Sequence, residues 1–394
     1  MIHLFLNGLA ASAGGGLTYL RNVVPHLSRC QDVHSTVALS PQLRREFGDL
    51  PNISFLELDV PGSAARRFYW EQMRLPGLIR RSGANVLISA GNFALRKSPV
   101  PQILLSRNSL YTSADFYRDL RDRGEYGLWL DTRIKGVLAK RSIHWADCTV
   151  APSRAFADDL QRWTGKPIIA IHHGFDPEGF FGDQTPLSVE AQQKIKAAEG
   201  AVRLLFVSHY NYYRNFETLL RAISLVRQRL AGRPVRLFLT CKLQAGENPG
   251  SYRTEAAAAL VRELGIQEEV VELGAIPYRS LHHLYRACDV YVTPAYTETF
   301  AHPLVEAMAS GLPIVASDLP VHREICGGAA LFFDHSSPED AATKISQLAF
   351  SPDIARRLAT DGRARSLEFR WTQHVDELLS FALNLLRERP AWRR

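Results

Sequence analysis

The chain has 394 residues and a mass of 44.2 kDa, more than one hydrophobic core usually serves, which predicts two domains of roughly 150 to 200 residues each. With 46% hydrophobic and 22% charged residues, it is neither a disordered nor a fibrous chain, and five cysteines without a Cys-x-x-Cys suggest neither a disulfide framework nor a zinc clip. The net charge of +7 is uneven, since residues 1–182 hold 22 Lys and Arg against 16 Asp and Glu. A basic half can draw anionic lipid or phosphorylated substrate by its field, although only 8 of the 47 basic residues are Lys and an Arg-favouring codon bias explains the surplus as well. No run approaches the roughly 18 apolar residues of a spanning helix, and the opening Met-Ile-His-Leu-Phe-Leu-Asn lacks a basic leader. A soluble, cytoplasmic protein is expected.

In chain order, short apolar runs alternate with helical segments: Ile2–Leu6, Val33–Leu39, Ile53–Leu58, Val86–Ser89, Gln102–Leu105, Thr149–Ala151 and Ile168–Ile171. The rhythm restarts with Leu204–Val207, Val235–Leu239, Val270–Leu273, Val290–Thr293, Ile314–Ala316 and Ala330–Phe333. Most are apolar on both faces, as buried parallel strands are, so two doubly wound α/β domains follow. Residues 1–182 form the first, the polar stretch 183–200 a linker, and 201–370 the second. Residues 371–394 read as a helix with Val375, Leu378, Leu379, Ala382, Leu385 and Leu386 near one face, which needs a surface to cover.

Two features of the first half admit two readings each. Gly14-Gly15-Gly16 follows the first strand and opens a helix, which suits close backbone approach to a ligand or a plain strand-to-helix turn; it lacks the third glycine of a dinucleotide fingerprint. Arg66-Arg67-Phe-Tyr-Trp70 to Arg80-Arg81 fits a helix lying on an anionic membrane, or an amphipathic helix whose aromatics enter the core.

The most informative stretch runs from Pro294 to Pro313. A strand leads through Glu298-Thr299-Phe300-Ala301-His302 into a helix expected over about 303–310, with Pro303 near its start and Gly311 just past its end. The first turn offers backbone N–H groups and partial positive charge to a diphosphate, with Glu306 one turn inside to accept from vicinal hydroxyls and Glu298 at the mouth. Spacing alone proves nothing, because Glu255 and Glu263 repeat it on an Ala-rich helix without strand or loop before them.

Cys288-Asp-Val-Tyr-Val-Thr-Pro through Ala316-Ser-Asp resembles the donor-binding signature of the retaining glycosyltransferases of family 4, glycosyl transferases group 1. The resemblance extends to Ala146-Asp-Cys-Thr-Val-Ala-Pro-Ser153, Ile171-His-His-Gly174-Phe-Asp176, Phe206-Val-Ser-His-Tyr to Arg214-Asn, Leu273-Gly-Ala-Ile and Val321-His-Arg-Glu324. It implies a GT-B fold: two Rossmann-like domains facing across a cleft, the first binding the acceptor and the second the nucleotide-sugar, with the C-terminal helix crossing back onto the first. Glu306 is then similar to the family's ribose-binding glutamate and Glu298 to the one that holds the donor sugar. Thr299, Phe300 and Ala301 occupy the phosphate loop, with Thr299 and Ala301 standing where glycines are common. Arg214 takes the place of the family's lysine, and His209 that of an arginine, either as a cation beside the phosphate or as a neutral hydrogen-bonding residue. Gly15 and Gly16 correspond to a turn near donor and acceptor, and the backbone near Ala275 and Ile276 to the base-contacting segment. Either Arg107 or Asn108 stands in for a catalytic-region histidine.

The implied function is transfer of a hexosyl unit, with retention, from a nucleotide-diphosphate-sugar to a hydroxyl of a glycan or lipid-linked acceptor, as in cell-surface polysaccharide or lipopolysaccharide synthesis. The chain has no Asp-x-Asp, so no metal is expected. The reading also carries no cofactor, the nucleotide-sugar being a substrate, and no nucleic-acid partner. The alternatives are a phosphorylase or epimerase on the same frame, or a basic, non-catalytic binder of membrane or polyanions. The His172-His173 and His282-His283 doublets are expected to point apart.

Overall fold

The computed structural model describes residues 2–11, 15–230, 232–248 and 252–388; Gly14 and residues 389–394 lie outside them. Among the described residues thirteen strands form two parallel sheets. In the first, β1 (Ile2–Asn7), β2 (Val33–Leu39), β3 (Ile53–Glu57), β4 (Val86–Ser89), β5 (Gln102–Leu105), β6 (Cys148–Ala151) and β7 (Ile169–Ala170) lie in the order β3-β2-β1-β4-β5-β6-β7. In the second, β8 (Val202–Phe206), β9 (Val235–Leu239), β10 (Val270–Glu272), β11 (Val290–Thr293), β12 (Ile314–Ser317) and β13 (Ala330–Phe333) lie in the order β10-β9-β8-β11-β12-β13. Each expected run is a strand, and β4, β5, β11 and β12 are buried along their whole length, as strands covered on both faces must be. In each sheet the order reverses beside the first strand, between β1 and β4 and between β8 and β11. Outside the carboxyl ends of strands at such a switch point is where open α/β sheets bind ligands.

The chain divides into two compact units. Unit 1 comprises residues 1–113, 123–174 and 370–394, and unit 2 residues 114–122 and 175–369. The division falls after Gly174, and the segment 183–200, expected as a linker, belongs to unit 2. Its polar residues are the wet face of the helix Val189–Ala197, which Ser188 caps through the Ala191 amide at 3.2 Å, which buries Ala191, and whose Lys194 donates to the Glu272 carbonyl at 2.8 Å. The helix Ala114–Asp122, between β5 and β6 in sequence, also belongs to unit 2, with Phe116 and Leu120 fully buried there.

In unit 1 the helix Trp371–Glu388 completes the core. Trp371, Val375, Leu378, Leu379 and Ala382 pack with Leu6 of β1 and with Tyr19, Leu20, Val23 and Val24 of the helix Gly15–Ser28. A buried polar chain pins it. Tyr19 donates its hydroxyl to His374 Nε2 at 3.0 Å, while His374 Nδ1 lies 2.9 Å from the His172 carbonyl. Burial pushes the His374 pKa down to about 4, so the imidazole is neutral near pH 7; its Nδ1 then carries the proton that the His172 carbonyl accepts, and Nε2 is the acceptor of the Tyr19 hydroxyl. Gly174 lies so close to the Trp371 backbone that a Cβ there would overlap it.

The helix Ala64–Ser82 divides the expected membrane-facing aromatics. Trp70 packs on the cluster of Phe5, Leu75 and Ile79, Phe68 lies 5.8 Å from the Phe93 ring, and only Tyr69 faces outward. Among the described residues no helix is long and apolar enough to cross a membrane.

Candidate functional site

In unit 2 the carboxyl ends of β8, β11 and β12 gather the charged residues that the sequence singled out. After β8 the chain makes a 3-10 turn over Tyr212–Arg214 and then bends through Asn215, which adopts φ 56° and anchors the turn by donating to the carbonyls of Pro294 at 3.1 Å and His335 at 2.7 Å. Asn215 thereby ties the ends of β8, β11 and β13, a role nothing in the sequence pattern announces beyond its place next to Arg214. Arg214 forms an ion pair with Glu298, and their side chains retain only 18% and 10% exposure. Burial works against the guanidinium charge, but the Glu298 carboxylate more than offsets it and holds Arg214 above its ordinary pKa. The Arg214 Nε is buried without a partner among the described residues.

The helix spans His302–Ala309. Ala301 at its N-cap has φ 63° and ψ 64°, a left-handed conformation that favours glycine, and no side chain caps the first turn. Phe300 is buried and fixes the loop, its ring 5.5 Å from Phe369 and 4.9 Å from His302, while Thr299 remains half-buried. Glu306, one turn inside, is 6% exposed and accepts from the Tyr285 hydroxyl at 2.9 Å. Burial pushes its carboxyl up to about 7, against the lowering effect of the Tyr285 bond. Tyr291 on β11 lies in the fields of Arg214, Glu306 and Glu298 together.

Two further residues complete this end of the sheet without having been anticipated. His322 is fully buried, with Nδ1 2.8 Å from the Ser317 carbonyl at the end of β12 and with Glu298 and Arg214 in its field. Tyr296 donates its hydroxyl to Asp119 of the helix Ala114–Asp122 at 2.9 Å, and the Tyr213 ring lies 6.4 Å from Phe116. The loop between β11 and the helix is therefore buttressed by a segment remote in sequence, which no local pattern reveals.

His209 and Ile276 make no hydrogen bond or ion pair with Arg214 or Glu298 among the described residues. His209 follows β8, but its imidazole is exposed and its carbonyl serves Ser208 at 2.6 Å. Ile276, after β10, is half-buried. The doublet at His282-His283 departs from expectation: the two ring centroids are 3.9 Å apart, and the Phe180 and Phe181 rings lie 6.0 and 6.1 Å from His282.

In unit 1, Gly15 and Gly16 begin the helix Gly15–Ser28, and Arg107 supports their turn rather than presenting a free charge. Its guanidinium lies 4.6 Å above the Tyr19 ring, with one nitrogen donating to the Gly15 carbonyl at 3.4 Å and another to the Ala90 carbonyl. Burial lowers its pKa. Asn108 spends its side chain on the Leu110 amide, 3.0 Å away, as the cap of a short 3-10 turn.

The comparisons with known proteins bear on the chain half by half. The family model for Glycosyltransferase Family 4 matches residues 13–178 and that for Glycosyl transferases group 1 matches residues 189–365. Among curated relatives, the D-inositol 3-phosphate glycosyltransferase of Nocardia farcinica is 29% identical over 48% of this chain and 42% of its own length. The chain spans about half the length of the curated relatives it matches. Among solved structures, sucrose-phosphate synthase from Thermosynechococcus elongatus superposes with a TM-score of 0.75 at 18% identity, covering 98% of this chain and all of that one. Anabaena HepE in complex with UDP-glucose gives a TM-score of 0.71 at 15% identity with the same 98% coverage of this chain and 100% of that one. These neighbours share the GT-B fold, and the two family models together account for most of the sequence. The chain belongs to the family 4, group 1 glycosyltransferases.

Proposed function

We propose that this protein transfers a glycosyl unit from a nucleoside diphosphate sugar to a hydroxyl of a glycan or lipid-linked acceptor, with retention at the anomeric carbon. The observation that carries this reading is the Arg214–Glu298 pair beside an uncapped helix start, with Glu306 one turn inside. In the reaction the bond from the anomeric carbon to the diphosphate oxygen breaks and a bond to the acceptor oxygen forms, and the acceptor proton passes to the departing phosphate oxygen. The developing negative charge is the main thing to stabilise, and Arg214 with the first turn of His302–Ala309 supplies positive potential for it. Glu306 accepts from the ribose hydroxyls and Glu298 from the sugar. Because the guanidinium carries the charge, the reaction runs without a divalent metal. The named activity of the Nocardia relative and the UDP-glucose held by HepE support a nucleotide-sugar donor.

The test is transfer or hydrolysis of UDP-, GDP- and ADP-sugars in the presence of EDTA, with the anomeric configuration of the product read by proton NMR. An inverted product, or no turnover of any of them while the protein remains folded, refutes the reading.

A peripheral contact with anionic membrane is supported by the helix Tyr126–Trp145. Tyr126, Leu130, Ile134 and Val137 fall along one face and are 67, 55, 62 and 55% exposed, with Arg133 and Arg141 exposed beside them. A stripe of large apolar side chains flanked by arginine suits the headgroup boundary of an acidic bilayer. Flotation with phosphatidylglycerol vesicles should be lost in Leu130→Glu/Ile134→Glu, and equal flotation of the variant sinks the idea.

A further inference from the structure

Tyr285 stands on the helix Tyr278–Arg286 with its ring fully buried, 5.9 Å from Tyr291 and 6.0 Å from Phe180. Its hydroxyl is 2.9 Å from Glu306 Oε2 and 3.3 Å from the Pro303 carbonyl. A phenol has one proton for these two acceptors. While Glu306 is ionised the proton goes to the carboxylate, in the shorter, charge-assisted bond. Once Glu306 is protonated, its own O–H donates to the phenol oxygen and the phenol turns to the Pro303 carbonyl. Glu306 has no ion pair among the described residues and no hydrogen bond at Oε1, so one carboxylate oxygen is fixed by Tyr285 and the other is left to a ligand.

We infer that Tyr285 is a positioning residue for the donor: it orients Glu306 so that Oε1 accepts from a ribose hydroxyl, and it supports the ionised form, in which that acceptance is the stronger, charge-assisted one. The inference rests on the reading of Glu306 as the ribose-binding group. The other titratable groups around Glu306 cannot take over the task. Tyr278 on the same helix as Tyr285, and Tyr291 on β11, lie in its field without bonding to it. From the helix Pro320–Cys326 comes His322, engaged with Ser317 and in the field of Glu298 and Arg214. From the helix Pro352–Ser366 comes Arg363, packed against Gly311 beyond the far end of His302–Ala309. On the helix itself His302 lies against the Phe300 ring.

The consequence is a proton-linked affinity. Burial leaves Glu306 with a pKa of about 7, raised above its ordinary value, so the ionised fraction grows as pH rises through neutrality, and loss of the Tyr285 bond moves that rise to higher pH.

The test measures the Kd of UDP, GDP and ADP by calorimetry and carries forward the tightest binder from pH 6 to 9. Wild type should tighten from pH 6 to 8 and then level off. Tyr285→Phe should bind about tenfold or more weakly at pH 7 and recover toward wild type by pH 9. The 2′,3′-dideoxy form of the same nucleotide should bind both proteins alike. Replacing Tyr285 by 3,5-difluorotyrosine, a better donor of the same shape, should move the rise to lower pH, and this variant decides the matter should the phenylalanine protein fail to fold. A wild-type pH profile in Tyr285→Phe or an unmoved profile in the fluorinated protein overturns the inference, as does a pH-independent loss shared by the dideoxy nucleotide. Unchanged affinity in Glu306→Gln overturns the ribose reading itself, whereas weak, pH-flat binding there with no effect of Tyr285 overturns the inference alone.

Discussion

Removing one member of the Arg214–Glu298 pair should strand the other. With 18% and 10% of their side-chain surfaces exposed, neither group can recover full hydration in place, and breaking a buried pair from one side costs about 3–5 kcal/mol. Taking about 3 kcal/mol for Arg214→Ala, and about 2–4 °C per kcal/mol for a unit of this size, the melting temperature falls by roughly 6–12 °C. Glu298→Ala should cost a similar amount by stranding the cation. The double variant leaves no buried charge, so it should be more stable than the sum of the single losses implies by about 2 kcal/mol or more. Calorimetric melts of the four proteins close the cycle. A saturating nucleoside diphosphate adds a second reading, since a phosphate can replace Glu298 as the partner of Arg214. It should rescue Glu298→Ala more than Arg214→Ala. Additive single losses, or equal rescue of both, would show that the pair is neither coupled nor the place where the diphosphate's charge is met.

Three further outcomes follow from local geometry. Ala301→Gly should relieve the left-handed strain at φ 63° and, after the entropy of the extra glycine, raise stability by roughly 0.5–1 kcal/mol, whereas a lower melting temperature contradicts the strain. Gly174→Ala forces a Cβ into the Trp371 backbone and should cost about 3 kcal/mol or more, with faster chymotryptic cleavage at Trp371 and Phe381; an unaltered digest refutes the close seat. His374 has a folded pKa of about 4 against an ordinary value near 6.5, so the unfolded chain takes up its proton first as pH falls, and stability should drop by about 3 kcal/mol between pH 6.5 and 4. Urea melts of wild type and of the non-titrating His374→Gln should diverge over that range, and parallel curves dispose of the argument.

Most of the strands were legible because they are apolar on both faces, a pattern that strands of a covered parallel sheet require. Glu298, Glu306 and the helix between them were legible because one continuous segment carries strand, loop, Pro303 and Gly311. The residues that sequence reasoning missed are those whose meaning comes from distant partners. Asn215 acts on the carbonyls of Pro294 and His335, Tyr285 on Glu306, and Tyr296 on Asp119, across separations no periodicity encodes. Residues 183–200 were misjudged because a solvated helix face and a linker have the same composition. Arg107 read as a candidate at the reacting centre because charge is visible in a sequence, while the Tyr19 ring and the two carbonyls that occupy it are not.

The exchange of segments between the units means that no single scission leaves two self-sufficient pieces. A fragment ending at residue 182 would carry Phe116 and Leu120 without the surroundings that bury them, and would leave Leu6, Leu20 and Val24 uncovered for want of Trp371–Ala382. Grafting one unit of this chain onto a relative therefore requires four junctions to be respected together, after residues 113, 122, 174 and 369, and a nick in an exposed connection should leave its products clinging to each other until denaturant parts them.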